Sequence, residues 1–171
     1  MADPNIFDAV RIPSQVLIDL DWRTYHFAFQ PYHYLIRMAH ILAMAAFYGA
    51  IGFFDFRLMG FYKGLPRRTL AKVILPWVYA TFAVAVITGI ALFLYDPVRI
   101  GSRAYWTPKL IAVFLGVLNA AIIQRRDYLT EAESGNAGRI KRTGAYSLLL
   151  WTAALIFACL NTEAMPKLLL Q

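Results

Sequence analysis

Residues 70–95 read LAKVILPWVYATFAVAVITGIALFLY, with a single charged side chain, Lys72, near the start. A bilayer core about 30 Å thick needs about 20 largely apolar residues per helix, so this stretch is long enough to cross one. Three more stretches have the same character. They lie at about 32–54, 107–123 and 143–160, and the segments between them carry most of the charge. With 60% apolar and only 16% charged residues, a water-soluble domain of this size could not hide its own apolar surface. The sequence therefore predicts an all-α protein: an integral membrane four-helix antiparallel bundle spanning residues 32–161.

Residues 1–31 form a different kind of segment. Acids alternate there with Phe7, Val16, Trp22, Tyr25, Phe27 and Phe29, a mixture suited to lying at the headgroup level, and it is expected to be helical from about Ser14. No basic, then apolar, leader pattern opens the chain, so a cleaved signal peptide is not expected. Pro31 marks the bend into the first span. Pro76 falls in the early turns of the second span, and Asp96-Pro97 closes it. Thr107 is placed to cap the third span with Pro108 at its first position. A polar loop covers 127–142, and 162–171 is a short tail. Cys159, the only cysteine, rules out an intrachain disulfide.

The net charge of +7 sits in clusters beside the apolar spans rather than along one soluble face, which argues against nucleic acid and for membrane orientation. Arg57, Lys63, Arg67, Arg68 and Lys72 lie around the first loop. Arg125, Arg126, Arg139, Lys141 and Arg142 lie around the third. Basic residues favour the cytoplasmic side, so both termini are expected to be periplasmic in a bacterial inner membrane.

Ionisable groups within spans are costly, and Arg37, His40 and Lys109 are the ones that matter here. At about 100° per residue, His33, Arg37, His40, Met44, Phe47, Ile51 and Asp55 fall along one line of the first helix, a stripe expected to face the interior. Lys109, Val113, Gly116 and Ala120 make a matching line on the third helix, flanked by Asn119. Counting turns from the outer face puts His40 and Lys109 at similar depth, within about 5 to 8 Å in height. Ile87-Thr88-Gly89 reaches that level from the second helix, where Gly89 admits another backbone or a flat ligand. Each residue also has a purely structural reading: His40 hydrogen-bonded to a neighbouring helix, Lys109 and Arg37 reaching for the outer headgroups, Thr88 and Asn119 holding helices together.

An imidazole in an apolar bundle is a natural axial ligand for haem iron. All three histidines fall between 26 and 40, and His33 and His40 are about 10.5 Å apart along one helix, too far to share a metal. His40 is thus the candidate metal ligand. It would act with an open position, with Lys109, or with His26 from the N-terminal segment.

The run from His40 through Asp55-Phe56-Arg57-Leu58-Met59-Gly60, with Leu75-Pro76-Trp77, Thr88-Gly89 and Lys109-Leu110, resembles a group of uncharacterised bacterial four-helix inner-membrane proteins. The likeness covers about residues 32–160. That group is similar in layout to the copper-resistance D membrane domain and to the four-helix bacterial protoporphyrinogen oxidase. In the latter a first-helix His and a Lys opening a later helix are associated with haem, which here implies His40 and Lys109. The expectation is a b-type haem or porphyrin bound in the outer half by His40, Lys109, Arg37 and Gly89, for electron transfer or porphyrin redox chemistry. The rival expectation is a non-catalytic subunit that packs against a larger membrane complex, or a homo-oligomer, in the lipid bilayer.

Overall fold

The structure is a computed structural model that describes residues 11–125 and 137–162. These residues form helices and connecting turns, with no strand among them. Two short helices, α1 (Ser14–Asp19) and α2 (Arg23–Phe29), precede a 3-10 turn at Gln30–Tyr32. Then come α3 (His33–Met59), α4 (Arg67–Tyr95), the short α5 (Pro97–Gly101), α6 (Trp106–Arg125) and α7 (Ala137–Thr162). The helices containing α3, α4 and α7 are long and apolar enough to cross a membrane, and the apolar stretch of α6, Trp106–Ala121, is shorter.

Apolar side chains cover the outside as well as the inside. Trp77, Ile87, Phe114 and Leu149 are each more than 60% exposed. Helices apolar all round suit a hydrocarbon solvent, because in water such a surface would be strongly unfavourable.

The interior is built chiefly by α3. Phe47, Ile51, Phe54 and Leu58 pack against Ala71 and Val78 of α4 and against Ile140 and Trp151 of α7. Phe47 meets the Trp151 ring edge-on at 4.6 Å, and Phe82 of α4 completes that aromatic cluster. Across the α3–α7 contact, Tyr48 pairs with Thr152 through their hydroxyls at 2.8 Å, and Gly144 lies against Asp55 and Leu58. Residue numbers rise on one helix as they fall on the other, so α3 and α7 are antiparallel. The same reasoning makes α3 and α4 antiparallel, with His40 beside Thr88 and Phe47 beside Phe82.

Close packing thus runs α4, α3, α7, α6. A symmetric ring would also press α4 against α6, but among the described residues those two meet mainly where Phe93 stacks on Trp106, 5.0 Å apart and nearly parallel. Gly116 on α6 leaves room for Trp151 of α7: a Cβ there would lie 2.9 Å from the indole. Asn119 of α6 donates to the Thr143 carbonyl of α7.

Several boundaries differ from the sequence reading for identifiable reasons. Helix α3 runs past Phe54 to Met59, because Asp55 is turned into the bundle and Arg57 bonds onto the following turn. Gly60, at φ 106°, then ends the helix in the left-handed conformation glycine tolerates best. Helix α6 starts at Trp106, so Thr107 is inside its first turn rather than capping it. Pro108 still falls where no helical N–H is needed. The N-terminal segment is two helices broken near Leu20–Trp22. Leu17 is 1% exposed, seated on Gly101 of α5, and α2 packs on α4. Residues 1–10, most of the 127–142 loop and the tail from 163 lie outside the described residues.

Candidate functional site

His40 lies two turns into α3, on the side facing α4. Its ring rests against Gly89, where an added Cβ would come within 3.0 Å of Cε1 and 3.9 Å of Nε2. The open space that Gly89 was expected to give a ligand or backbone is thus occupied by the imidazole itself. Its Nδ1 is 3.0 Å from Thr88 Oγ1.

The direction of that bond follows from counting protons. A threonine hydroxyl has one hydrogen, and Thr88 already points Oγ1 at its own helix carbonyls, 2.6 Å from Val84 and 3.2 Å from Ala85. Its remaining lone pair accepts, so His40 Nδ1 carries the proton and donates. In the neutral ring Nε2 is then an unprotonated lone pair. The side-chain partner of the ring among the described residues is Thr88, through Nδ1. A ligating histidine commonly has its other ring nitrogen fixed in just this way by a neighbouring acceptor.

Lys109, in the first turn of α6, holds its Nζ 5.1 Å from the centroid of Trp106, a cation–π contact within one helix. Its charge is close enough to act on His40. Trp106 is braced by Phe93 of α4, and its buried indole Nε1 has no hydrogen-bond partner among the described residues. Toward the Tyr95 end of α4, the neighbouring ends of α3 and α6 thus carry an imidazole lone pair, an ammonium group and an indole donor unsatisfied among the described residues. Chemically, such a set accommodates a metal centre whose periphery carries acceptor or anionic groups.

Arg37 differs from its expected inward placement. It is exposed, one turn nearer the outer end than His40, as a long guanidinium side chain at a helix end tends to be. His26 and His33 do not join His40 either. They sandwich the Tyr95 ring, at centroid distances of 4.3 and 4.2 Å, and His26 Nδ1 donates to the Tyr95 carbonyl at 2.9 Å. Together with the Tyr25 hydroxyl, which donates to Ala91, they tie α2 and α3 to the end of α4. No cluster of three or more His, Cys, Asp or Glu is present among the described residues.

Two features escaped the sequence reading. A helix capped by Thr107 leaves Trp106 outside it, and nothing in the spacing ties its ring to Phe93. The His–Tyr–His stack joins residues on three elements, and no one-dimensional periodicity records it. At the other end of α3, Asp55 is 1% exposed, faces the buried Ser147 of α7 and has no well-formed hydrogen bond to either carboxyl oxygen among the described residues.

Comparison with known protein families, with curated proteins and with solved structures finds no match to this chain.

Proposed function

We propose that this protein crosses a bacterial inner membrane four times, α6 supplying the fourth crossing, with both termini on the periplasmic side. In its outer half it binds a b-type haem or related porphyrin through His40. The observation that carries this reading is the Thr88 hydroxyl, which commits its proton to its own helix and so leaves His40 with Nε2 as a lone-pair donor. Haem would supply one-electron chemistry at that position.

The remaining roles are matters of charge and space. Lys109, held over Trp106 near His40, is the partner for a propionate carboxylate, and exposed Arg37 offers a second cation at the rim. Gly89 gives the imidazole the room to lie close against α4, with its Cε1 edge nearest. With His26 and His33 engaged on Tyr95, His40 would be the sole histidine ligand, which suits an iron with an open position or a redox role on porphyrins better than a chain of haems.

The test is a reduced-minus-oxidised visible spectrum of the purified full-length protein, made with haem supplied during expression. A Soret shift and α band are expected, lost in His40→Ala and retained in His33→Ala. A featureless spectrum from folded, haem-supplied protein defeats the proposal. The rival is a non-catalytic subunit of a larger membrane complex, favoured by the open apolar groove along α7 lined by Met59, Ala145, Leu149, Thr152 and Ile156. Colourless protein that co-purifies stoichiometrically with a larger membrane partner would establish it.

A further inference from the structure

Three cations lie around the α3–α4 turn, at the end of the molecule opposite His40. Arg57 is 8% exposed, and its guanidinium is clamped to the α3–α4 turn, donating to the carbonyls of Leu65 and Lys63. Arg67 opens α4 two residues beyond the Leu65 carbonyl that Arg57 holds, and its Nε is buried with no hydrogen-bond partner among the described residues. Lys141 reaches over from α7 to the same turn, its Nζ 3.9 Å from where a Cβ on Gly60 would stand.

Like charges brought together repel, and a buried guanidinium N–H left unpaired is unfavourable. Neither difficulty is relieved within the described residues, where none of these three side chains has an ion-pair partner. The nearest carboxyl in sequence, Asp55, points toward Ser147 rather than Arg57. Phe61 and Tyr62, both more than half exposed, flank the turn, and Tyr62 has the apolar ring and polar tip that suit a bilayer surface.

We infer that Arg67, Lys141 and Arg57 form a binding site for a phosphate group. The guanidinium fork of Arg67 and the ammonium of Lys141 bind the oxygens, while Arg57 adds charge from beneath. A phosphodiester is the fitting anion, because its oxygens accept from Arg in a bidentate fashion and from Lys as a point charge. It comes either from the headgroup of an anionic phospholipid, with acyl chains lying along the apolar flank of α4, or from a soluble phosphate. This inference is independent of any haem at His40.

The experiment uses the full-length protein in nanodiscs of phosphatidylcholine, with or without phosphatidylglycerol, and follows thermal unfolding together with lipid retention in native mass spectrometry. Phosphatidylglycerol should raise the unfolding midpoint of the wild-type protein and remain bound on release from the disc. Arg67→Gln and Lys141→Gln should each weaken retention about tenfold, the loss of one charge-assisted contact. Lys72→Gln, which removes an exposed cation from the same region, should not. Inorganic phosphate titrated into phosphatidylcholine discs separates the sources: stabilisation there, lost in Arg67→Gln, assigns a soluble anion, and stabilisation by phosphatidylglycerol alone assigns the headgroup. A wild-type protein that responds to neither overturns the inference. So does an Arg67→Gln, Lys141→Gln double variant that binds phosphatidylglycerol as the wild type does. Should Arg67→Gln fail to fold, the retention measured on Lys141→Gln decides alone.

Discussion

Gly144 is where α7 comes nearest to the backbone of α3, and adding one methyl group there tests the packing directly. A Cβ at residue 144 would lie 2.9 Å from the Asp55 carbonyl oxygen, 2.9 Å from Leu58 Cβ and 3.4 Å from Met59 Cγ. Comfortable carbon contacts begin near about 3.5 Å, so α3 and α7 would have to part by roughly half an ångström. Met59 can rotate away, but a carbonyl and a Cβ move only with their helix. Overpacking of this kind costs about 1–3 kcal/mol. The control is Gly49→Ala, on the exposed face of α3, where a Cβ meets nothing within 4 Å. Both substitutions gain the same helix propensity, about 0.5–1 kcal/mol, so it cancels in the difference and the steric term of about 1–3 kcal/mol remains. Unfolding in mixed micelles, followed by the fluorescence of buried Trp151, should show Gly144→Ala less stable than Gly49→Ala by that amount. Equal stability would mean that α3 and α7 do not pack in this register.

Other outcomes follow from single contacts. Thr88→Val keeps the shape but leaves His40 Nδ1 without its acceptor, so it should destabilise the protein by about 1–3 kcal/mol; if haem binds there, retention should fall about 10–100-fold, read from the Soret absorbance. Asp55→Asn removes a carboxyl group that is buried without an ion pair, so the same micelle assay should find the variant at least as stable as the wild type at neutral pH. A marked loss there would point to a charge partner for Asp55. Single cysteines in 61–65 should resist membrane-impermeant reagents in intact cells and label in inverted vesicles, and the reverse pattern would refute the proposed orientation.

The long helices were legible because hydrophobic length is a one-dimensional property, written in stretches such as 70–95. Their ends were less so. Hydropathy falls at Asp55 and Arg57, yet α3 continues through them, since one buries its carboxyl against α7 and the other fastens its guanidinium to the next turn. The level of His40 relative to Lys109 could be counted from helical rise. Which way each side chain turns could not be counted. Arg37 shares the His40 line on a helical wheel but is exposed, as a long guanidinium side chain near a helix end tends to be. Gly89 was legible as a gap, but that the imidazole fills it depends on how closely α3 and α4 approach, a property of two chains of contacts rather than of either sequence.

The sparse contact between α4 and α6 bears on how anything would arrive at His40. With Phe93 and Trp106 as the main bridge between those helices among the described residues, that side of the bundle is closed by a pair of stacked rings rather than a wall of interlocked backbone. In the proposed membrane setting, sliding one ring off the other would open a sideways door from the hydrocarbon phase. A flat, oily molecule dissolved among the acyl chains would then enter laterally, never passing through water, and Lys109 would stand at the threshold to catch its polar edge.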